Sequence, residues 1–254
     1  MQSDFLRAAL QAAEAAAELI KPLYQSNLEV RTKADKSPVT VADVQAEKLI
    51  RSLLEERFPA HGFYGEETGE RDRDAEYLWL VDPIDGTKAF VREYAMFSTQ
   101  IALMHRGELI VGVSIAPVYG ELAYAEKGGG AWLNGRQIHV SEIERIEDAS
   151  VSTGNLKSLA RGGQWAAYGG IVARADRIRG YGDFLHYHLL ASGRIDAALE
   201  SDVNILDIAA LAVIVEEAGG RFTDLDGKPV SLGIESVLAS NGHLHAALLA
   251  ALAH

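Results

Sequence analysis

The stretch LWLVDPIDGTKAF, residues 78–90, sets reactive groups at a spacing that could do chemistry. An apolar run meets Asp82 and Asp85, with Pro83 between them and Gly86-Thr87 directly after. Asp-Pro-X-Asp-Gly is also ordinary turn chemistry, and an isolated Asp-Gly would mean no more than a turn. Here Asp82 closes a strand-like run, the position where layered α/β folds gather their active sites. Gly86-Thr87 then opens a helical pattern, and a helix start offers backbone N–H groups to phosphate. Two carboxylates beside such a cradle repel each other and the phosphate. A hard divalent cation removes both conflicts, because Mg2+ takes carboxylate and phosphate oxygens together. The spacing points to a metal-bridged phosphate site.

Three further carboxylates stand in suggestive places. Glu66 lies in GFYGEETGE, Asp207 in ILDIAALAVIVEEAGG, and Asp43 three residues after Thr40. Taken singly, they read as a solvated acidic loop, a helix N-cap and half of a capping box. The ordered set is what those separate readings leave unexplained. A covalent aspartyl-phosphate route, as in haloacid dehalogenase-type phosphatases, needs Asp-X-Asp-Gly-Thr near a chain start. Here the two aspartates are three apart and 82 residues in. The chain has no cysteine, which excludes disulfides, thiolate metal sites and a Cys nucleophile. His186/His188 and His243/His245 are two apart, so on helices they diverge and no zinc site is expected; His186, near Asp183, is a candidate substrate contact.

Helices and strands must bring these groups together. Residues 3–23 are Ala-rich at helical spacing, with Pro22 closing the pattern. A second helix starts at Thr40, with Val44, Leu49, Leu53 and Leu54 along its apolar face. Residues 78–81, 97–104, 108–116 and 120–126 read as strands in close succession, an antiparallel sheet. Asn134-Gly135 predicts a tight hairpin. Beyond residue 145 the pattern alternates. ASVSTG, GGIVA, IDAALE, GGRFTD and ESVLAS read as strands. The runs from Asp183, Ile208 and Asn241 read as helices, the middle one apolar nearly all round and hence buried between layers. We expect two subdomains, 1–145 and 146–254, the second completing the site.

With 254 residues, 48% of them hydrophobic, the chain can bury a large core. No apolar run approaches a membrane span, and the N-terminus lacks a signal-peptide pattern. A cytoplasmic location is expected. The net charge of −12 argues against nucleic-acid partners but not against a small phosphate held through metal ions.

GEE, WLVDPIDGTKAF and LDIAALAVIVEEAGGRFTD together resemble the three signature regions of the inositol monophosphatase family, lithium-sensitive Mg2+-dependent phosphomonoesterases. The likeness runs from KADKSPVTVAD to EEAGGRFTDLDG. SPVTVADVQAE, DPIDGTKAF and GDFLHYHLLASGRID resemble most the bacterial histidinol-phosphate phosphatase branch. The resemblance implies an α+β fold, an α-β-α-β-α sandwich of the sugar-phosphatase type, and a homodimer. It implies two to three Mg2+ ions held by Glu66, Asp82, the Ile84 carbonyl, Asp85 and Asp207. Gly86 and Thr87 would bind phosphate, Thr87 with Asp43 would orient the attacking water, and Asp183 and Glu200 would face the leaving group. Leu206 stands where the family has an aromatic residue, and ESDVNILD departs from the Leu-Lys-Pro run usual in the histidinol branch; both bear on the substrate pocket. Histidinol phosphate is the first substrate expectation. An inositol phosphate or a 3′(2′),5′-bisphosphonucleotide is the alternative, and a catalytically weak binding protein of the same fold is the non-enzyme one. The loop at 33–42 is an expected lid that carries Asp43 to the site.

Overall fold

The computed structural model describes residues 2–26, 30–32 and 38–253. Two helices begin it, α1 (Asp4–Ile20) and α2 (Val41–Arg57), separated by a short hairpin of β1 (Val30–Thr32) and β2 (Pro38–Thr40). The expected lid falls largely on residues 33–37, outside the described residues. Ser3 caps α1, and Pro22 sits in the 3-10 turn that ends it. Thr40 caps α2 in a full capping box with Asp43. The buried face of α2 is Ala42, Asp43, Ala46, Glu47, Ile50 and Leu54. Of the expected apolar face only Leu54 is fully buried. The small Ala42 and Ala46 let the α1 alanines approach closely, and this contact outweighs hydrophobicity in choosing the face.

An eight-stranded sheet follows. Its strands are β3 (Gly62–Gly65), β4 (Gly69–Arg71), β5 (Tyr77–Asp85), β6 (Ser98–His105), β7 (Glu108–Ala116), β8 (Glu121–Glu126), β9 (Ala131–Leu133) and β10 (Arg136–Ile138). The spatial order is β10-β9-β8-β7-β6-β5-β3-β4, antiparallel throughout except for β3 beside β5. Asn134 and Gly135 both take positive φ, 49° and 74°, as the predicted hairpin requires. A short helix, α3 (Thr87–Val91), leaves the end of β5.

The rest of the chain gives α4 (Lys157–Arg161), α5 (Trp165–Arg174), α6 (Asp183–Ala191), α7 (Ile205–Glu217) and α8 (His245–Leu252). Between them run β11 (Ser150–Thr153), β12 (Arg177–Arg179), β13 (Ala197–Ser201), β14 (Arg221–Thr223) and β15 (Ser236–Ser240), in the sheet order β12-β11-β13-β15-β14. GGIVA is not a strand but the second half of α5. Tyr168 and Ile171, three apart, bury one helical face there, while both glycines look onto open space.

The layers are α1/α2, the large sheet, α6/α7, the small sheet, and α4/α5/α8, the α-β-α-β-α sandwich. Trp79, Val81, Ile101 and Leu103 face α1/α2, while Leu78, Leu80, Ala102 and Met104 face α6/α7. Burial on both faces explains why LWLV is continuously apolar. Helix α7 lies so close to the large sheet that a Cβ on Gly112 would stand 2.3 Å from the Ala210 carbonyl oxygen. No helix among the described residues is long and apolar enough to cross a membrane.

Candidate active site

Strand alternation aims the site residues into the middle layer. Leu78 and Leu80 face α6/α7, so Asp82, two residues on, does too. In the small sheet Ala198 faces the same layer, which brings Glu200 inward from the opposite side. The first turns of α6 and α7 supply Asp183 and Asp207. The β5–β6 register shifts between Asp82 and Asp85, and this irregularity lets both aspartates reach one place. Asp82 Oδ1 accepts the Ile84 N–H at 2.9 Å, closing the turn around Pro83. Gly86 then takes φ 88° as the N-cap of α3. A Cβ there would lie 2.5 Å from the Met96 carbonyl oxygen, so the turn demands glycine twice over.

Oxygen atoms of Asp82, Asp85 and Asp207 all lie within 4.8 Å of one another. Asp82 is 2% exposed. Burial, then Glu66, Asp85 and Asp207, push its carboxyl well above the usual range. Burial, then Asp183 and Asp207, do the same to Asp85. Asp207 is raised to about 7 by burial, with Glu66 and Glu200 adding to the effect against the opposing Asn204 N–H. Crowded acids of this kind are held at high free energy unless a cation joins them. Three carboxylates with a nearby Glu66 and a backbone carbonyl are the hard-oxygen donor set that Mg2+ takes, so the residues fit the metal.

These groups line a cavity of about 440 Å³ together with Glu66, Ile84, Gly86, Thr87, Lys88 and Asp183. Thr87 Oγ1 lies 3.2 Å from Asp43 Oδ1 and 3.0 Å from the Ile84 carbonyl oxygen. Asp43 is fully buried; burial raises its pKa against the hydrogen bonds from Thr40. It is therefore both a capping residue and a site neighbour. Asp207 is likewise part of a capping box, but at its third helical position, since Asn204 and not Asp207 is the N-cap. Asp183 begins α6 at φ 46°, and burial followed by Glu200 raises its carboxyl to about 6.

Glu200 does not line this cavity. Its oxygens accept the Asn155 N–H at 3.1 Å and the Tyr187 hydroxyl at 3.1 Å, and His186 Nε2 lies 3.2 Å from Oε2. Burial opposes its charge, but His186, Asn155 and Tyr187 outweigh it and hold the pKa below the ordinary value. Leu206 is 4% exposed within the apolar core and forms no part of the cavity wall. The histidine pairs do split. His186 and His188 are buried in separate polar networks, while His245 bonds Thr223 and Ser240 and His243 is exposed. The cavity also includes Asn155, Asp202, Asn204 and Tyr94, which sequence reasoning passed over. Asn204 carried a readable signal, three residues before Asp207 in the capping-box pattern. Asp202 takes φ 59° and is tied to Ser158 and Ser201; nothing local in the sequence marks it.

The layered sandwich and the carboxylate nest at a strand end are those of a phosphatase. The chain belongs to the inositol monophosphatase family, whose model matches residues 1–254. The histidinol-phosphatase of Mycobacterium tuberculosis is 40% identical over 251 residues, covering 96% of both chains. The inositol-1-monophosphatase of Rhizobium meliloti is 36% identical over 229 residues, covering 87% of this chain and 85% of that one. Among solved structures, the extragenic suppressor protein suhB from Bartonella henselae superposes with a TM-score of 0.90 at 33% identity, covering 98% of each chain. The family is metal-dependent, and the acidic cluster of Asp82, Asp85 and Asp207 is a group that could hold a metal ion.

Proposed function

We propose that the chain hydrolyses histidinol phosphate, or a closely similar phosphate monoester with a cationic leaving group, using two to three Mg2+ ions held by Glu66, Asp82, Asp85, Asp207 and the Ile84 carbonyl. The convergence of Asp82, Asp85 and Asp207 within 4.8 Å, beside the first turn of α3, carries this reading. When bound, the metal supplies water of lowered pKa and neutralises charge on the phosphate. The chain's own groups do the rest. The Gly86 and Thr87 backbone N–H groups hold phosphate oxygens. The Thr87 hydroxyl, anchored by Asp43 and Ile84, orients the attacking water, and the buried Asp43 carboxylate accepts its proton through Thr87. Asp183 faces the leaving group, and Glu200 acts from behind it by raising its pKa.

Asp183 and Asp202 favour a cationic leaving group, because both line the cavity in addition to the metal-binding carboxylates. The reading extends, on the family resemblance, to a cytoplasmic homodimer and to subdomains dividing at 145/146. The test is kcat/KM on histidinol phosphate, inositol 1-phosphate, fructose 1,6-bisphosphate and adenosine 3′,5′-bisphosphate, before and after metal stripping. Stripped protein should be inert and revive with Mg2+, with histidinol phosphate turned over best. Turnover without metal refutes the mechanism. A preference for inositol 1-phosphate refutes the substrate assignment alone.

A further inference from the structure

A line of polar side chains crosses the large sheet on its α6/α7 face, where apolar packing is otherwise the rule. Ser98 Oγ lies 3.5 Å from Asp85 Oδ2. Gln100 Nε2 donates to Ser98 Oγ at 2.8 Å and to Ser114 Oγ at 3.1 Å. Ser114 Oγ lies 2.9 Å from His188 Nε2, and His188 Nδ1 lies 2.9 Å from Glu121 Oε2. Ser98, Gln100, Ser114 and His188 are each no more than 1% exposed. Strand register builds the line, since Asp85 pairs with Ser98 and Gln100 with Ser114 across adjacent strands.

The bonds admit one consistent assignment, donated outward from the Gln100 amide toward Glu121 on one side and Asp85 on the other. The Glu121 carboxylate can only accept, so His188 carries its proton on Nδ1 and Nε2 becomes an acceptor. Burial, which lowers the His188 pKa, agrees with a neutral ring. Ser114 then gives its proton to Nε2 and must accept from Gln100. The amide NH2 therefore faces both serines, and Ser98, accepting from Gln100, keeps its proton for Asp85. Turning the amide over would leave the single Ser114 proton facing two acceptors, Oε1 and His188 Nε2, and would draw the Ser98 proton away from Asp85. The arrangement leaves Gln100 Oε1 buried without a partner among the described residues. A buried polar group left unpaired in this way argues against a purely stabilising role for the amide.

We propose that Glu121, His188, Ser114, Gln100 and Ser98 are positioning residues, a directed hydrogen-bond chain that fixes the Asp85 carboxylate as a ligand for the divalent cation. This rests on the reading of Asp85 as a metal ligand. Outer partners of metal-bound carboxylates typically contribute about 10- to 100-fold to metal affinity.

The experiment measures Mg2+ binding to metal-stripped protein by titration calorimetry, with thermal melts alongside. Gln100→Met removes both donors and the unpaired oxygen at similar volume. It should weaken Mg2+ binding about 10-fold or more while the metal-free melting temperature stays level or rises. Ser98→Ala, a smaller change, should weaken binding in the same range. A merely structural role predicts the opposite pattern, a lower melting temperature with unchanged affinity. Asp85→Asn is the control. If it loses Mg2+ binding while folded Gln100→Met and Ser98→Ala bind within twofold of the parent chain, the positioning chain is refuted. If Asp85→Asn binds Mg2+ as the parent does, the ligand reading of Asp85 falls and the inference falls with it.

Discussion

Replacing Asp207 by Asn should make the metal-free protein more stable, although the same change should damage metal binding. In the folded chain without metal the Asp207 carboxyl sits at about 7, against 3.8 as its ordinary value. Below pH 3.8 both folded and unfolded states hold the proton, and nothing is lost. Between 3.8 and about 7 the unfolded chain has released its proton while the folded chain keeps it, so stability falls as pH rises. Above about 7 the slope from this group ends, leaving the folded state destabilised by roughly 4 kcal/mol. Asn keeps one acceptor for the Asn204 N–H but gives up charge at the α7 N-terminus and one of the two Asn204 bonds. Those losses offset roughly 1–2 kcal/mol. The net gain at pH 8 is then roughly 2–3 kcal/mol, a rise in melting temperature of about 4–12 °C for a chain of this size. Urea unfolding of chelator-treated protein at pH 4.5, 6 and 8 is the assay. The advantage of the variant should grow with pH up to about 7 and then level off. Mg2+ should stabilise the parent chain far more than the variant. If Asp207→Asn is less stable than the parent at pH 8 without metal, or shows the same pH slope, the claim that burial of this carboxylate, with the crowding of Glu66 and Glu200, costs the fold stability is refuted.

Thr87→Ala removes the hydroxyl between Asp43 and the cavity; kcat should fall at least about 100-fold with Mg2+ affinity unchanged, as read by steady-state kinetics and calorimetry. Gly112→Ala drives a Cβ against the Ala210 carbonyl oxygen. Its melting temperature should drop by roughly 2–12 °C, corresponding to about 1–3 kcal/mol of overpacking, and an unchanged melt would contradict the close α7 approach.

The parts of the site legible in the sequence are those built from neighbours along the chain. Asp82 to Thr87 form a strand end, a turn and a helix start within six residues, so their types and spacing are enough. Asp43 was legible as half of a capping box, whereas Asp207 read as the N-cap of its helix and proves to be the third helical position of a capping box begun by Asn204. Helix α7 was visible because it is apolar all round. The surroundings of Glu200 were not legible, since Asn155, Tyr187 and His186 reach it from other elements. Asp202 and the line from Asp85 to Glu121 depend on strand register and layer packing, which no short window encodes. GGIVA misled because paired glycines suggest a break, whereas the burial of Ile171 against the outer helices decided the matter.

Helix α7 has a consequence for how the molecule comes into being. It is the shared filling of two sheets, and Gly112 meets Ala210 across nearly a hundred residues of chain. Neither sheet can finish its inner surface from sequence-local contacts, so loop-closure entropy must be met before that packing rewards it. The carboxylates converge only when this seam closes, because Asp82 comes from one side of it and Asp183 and Asp207 from within it. The cluster is therefore complete only once α7 is packed between the two sheets. A nascent chain ending ahead of α7 lacks the third carboxylate of the cluster.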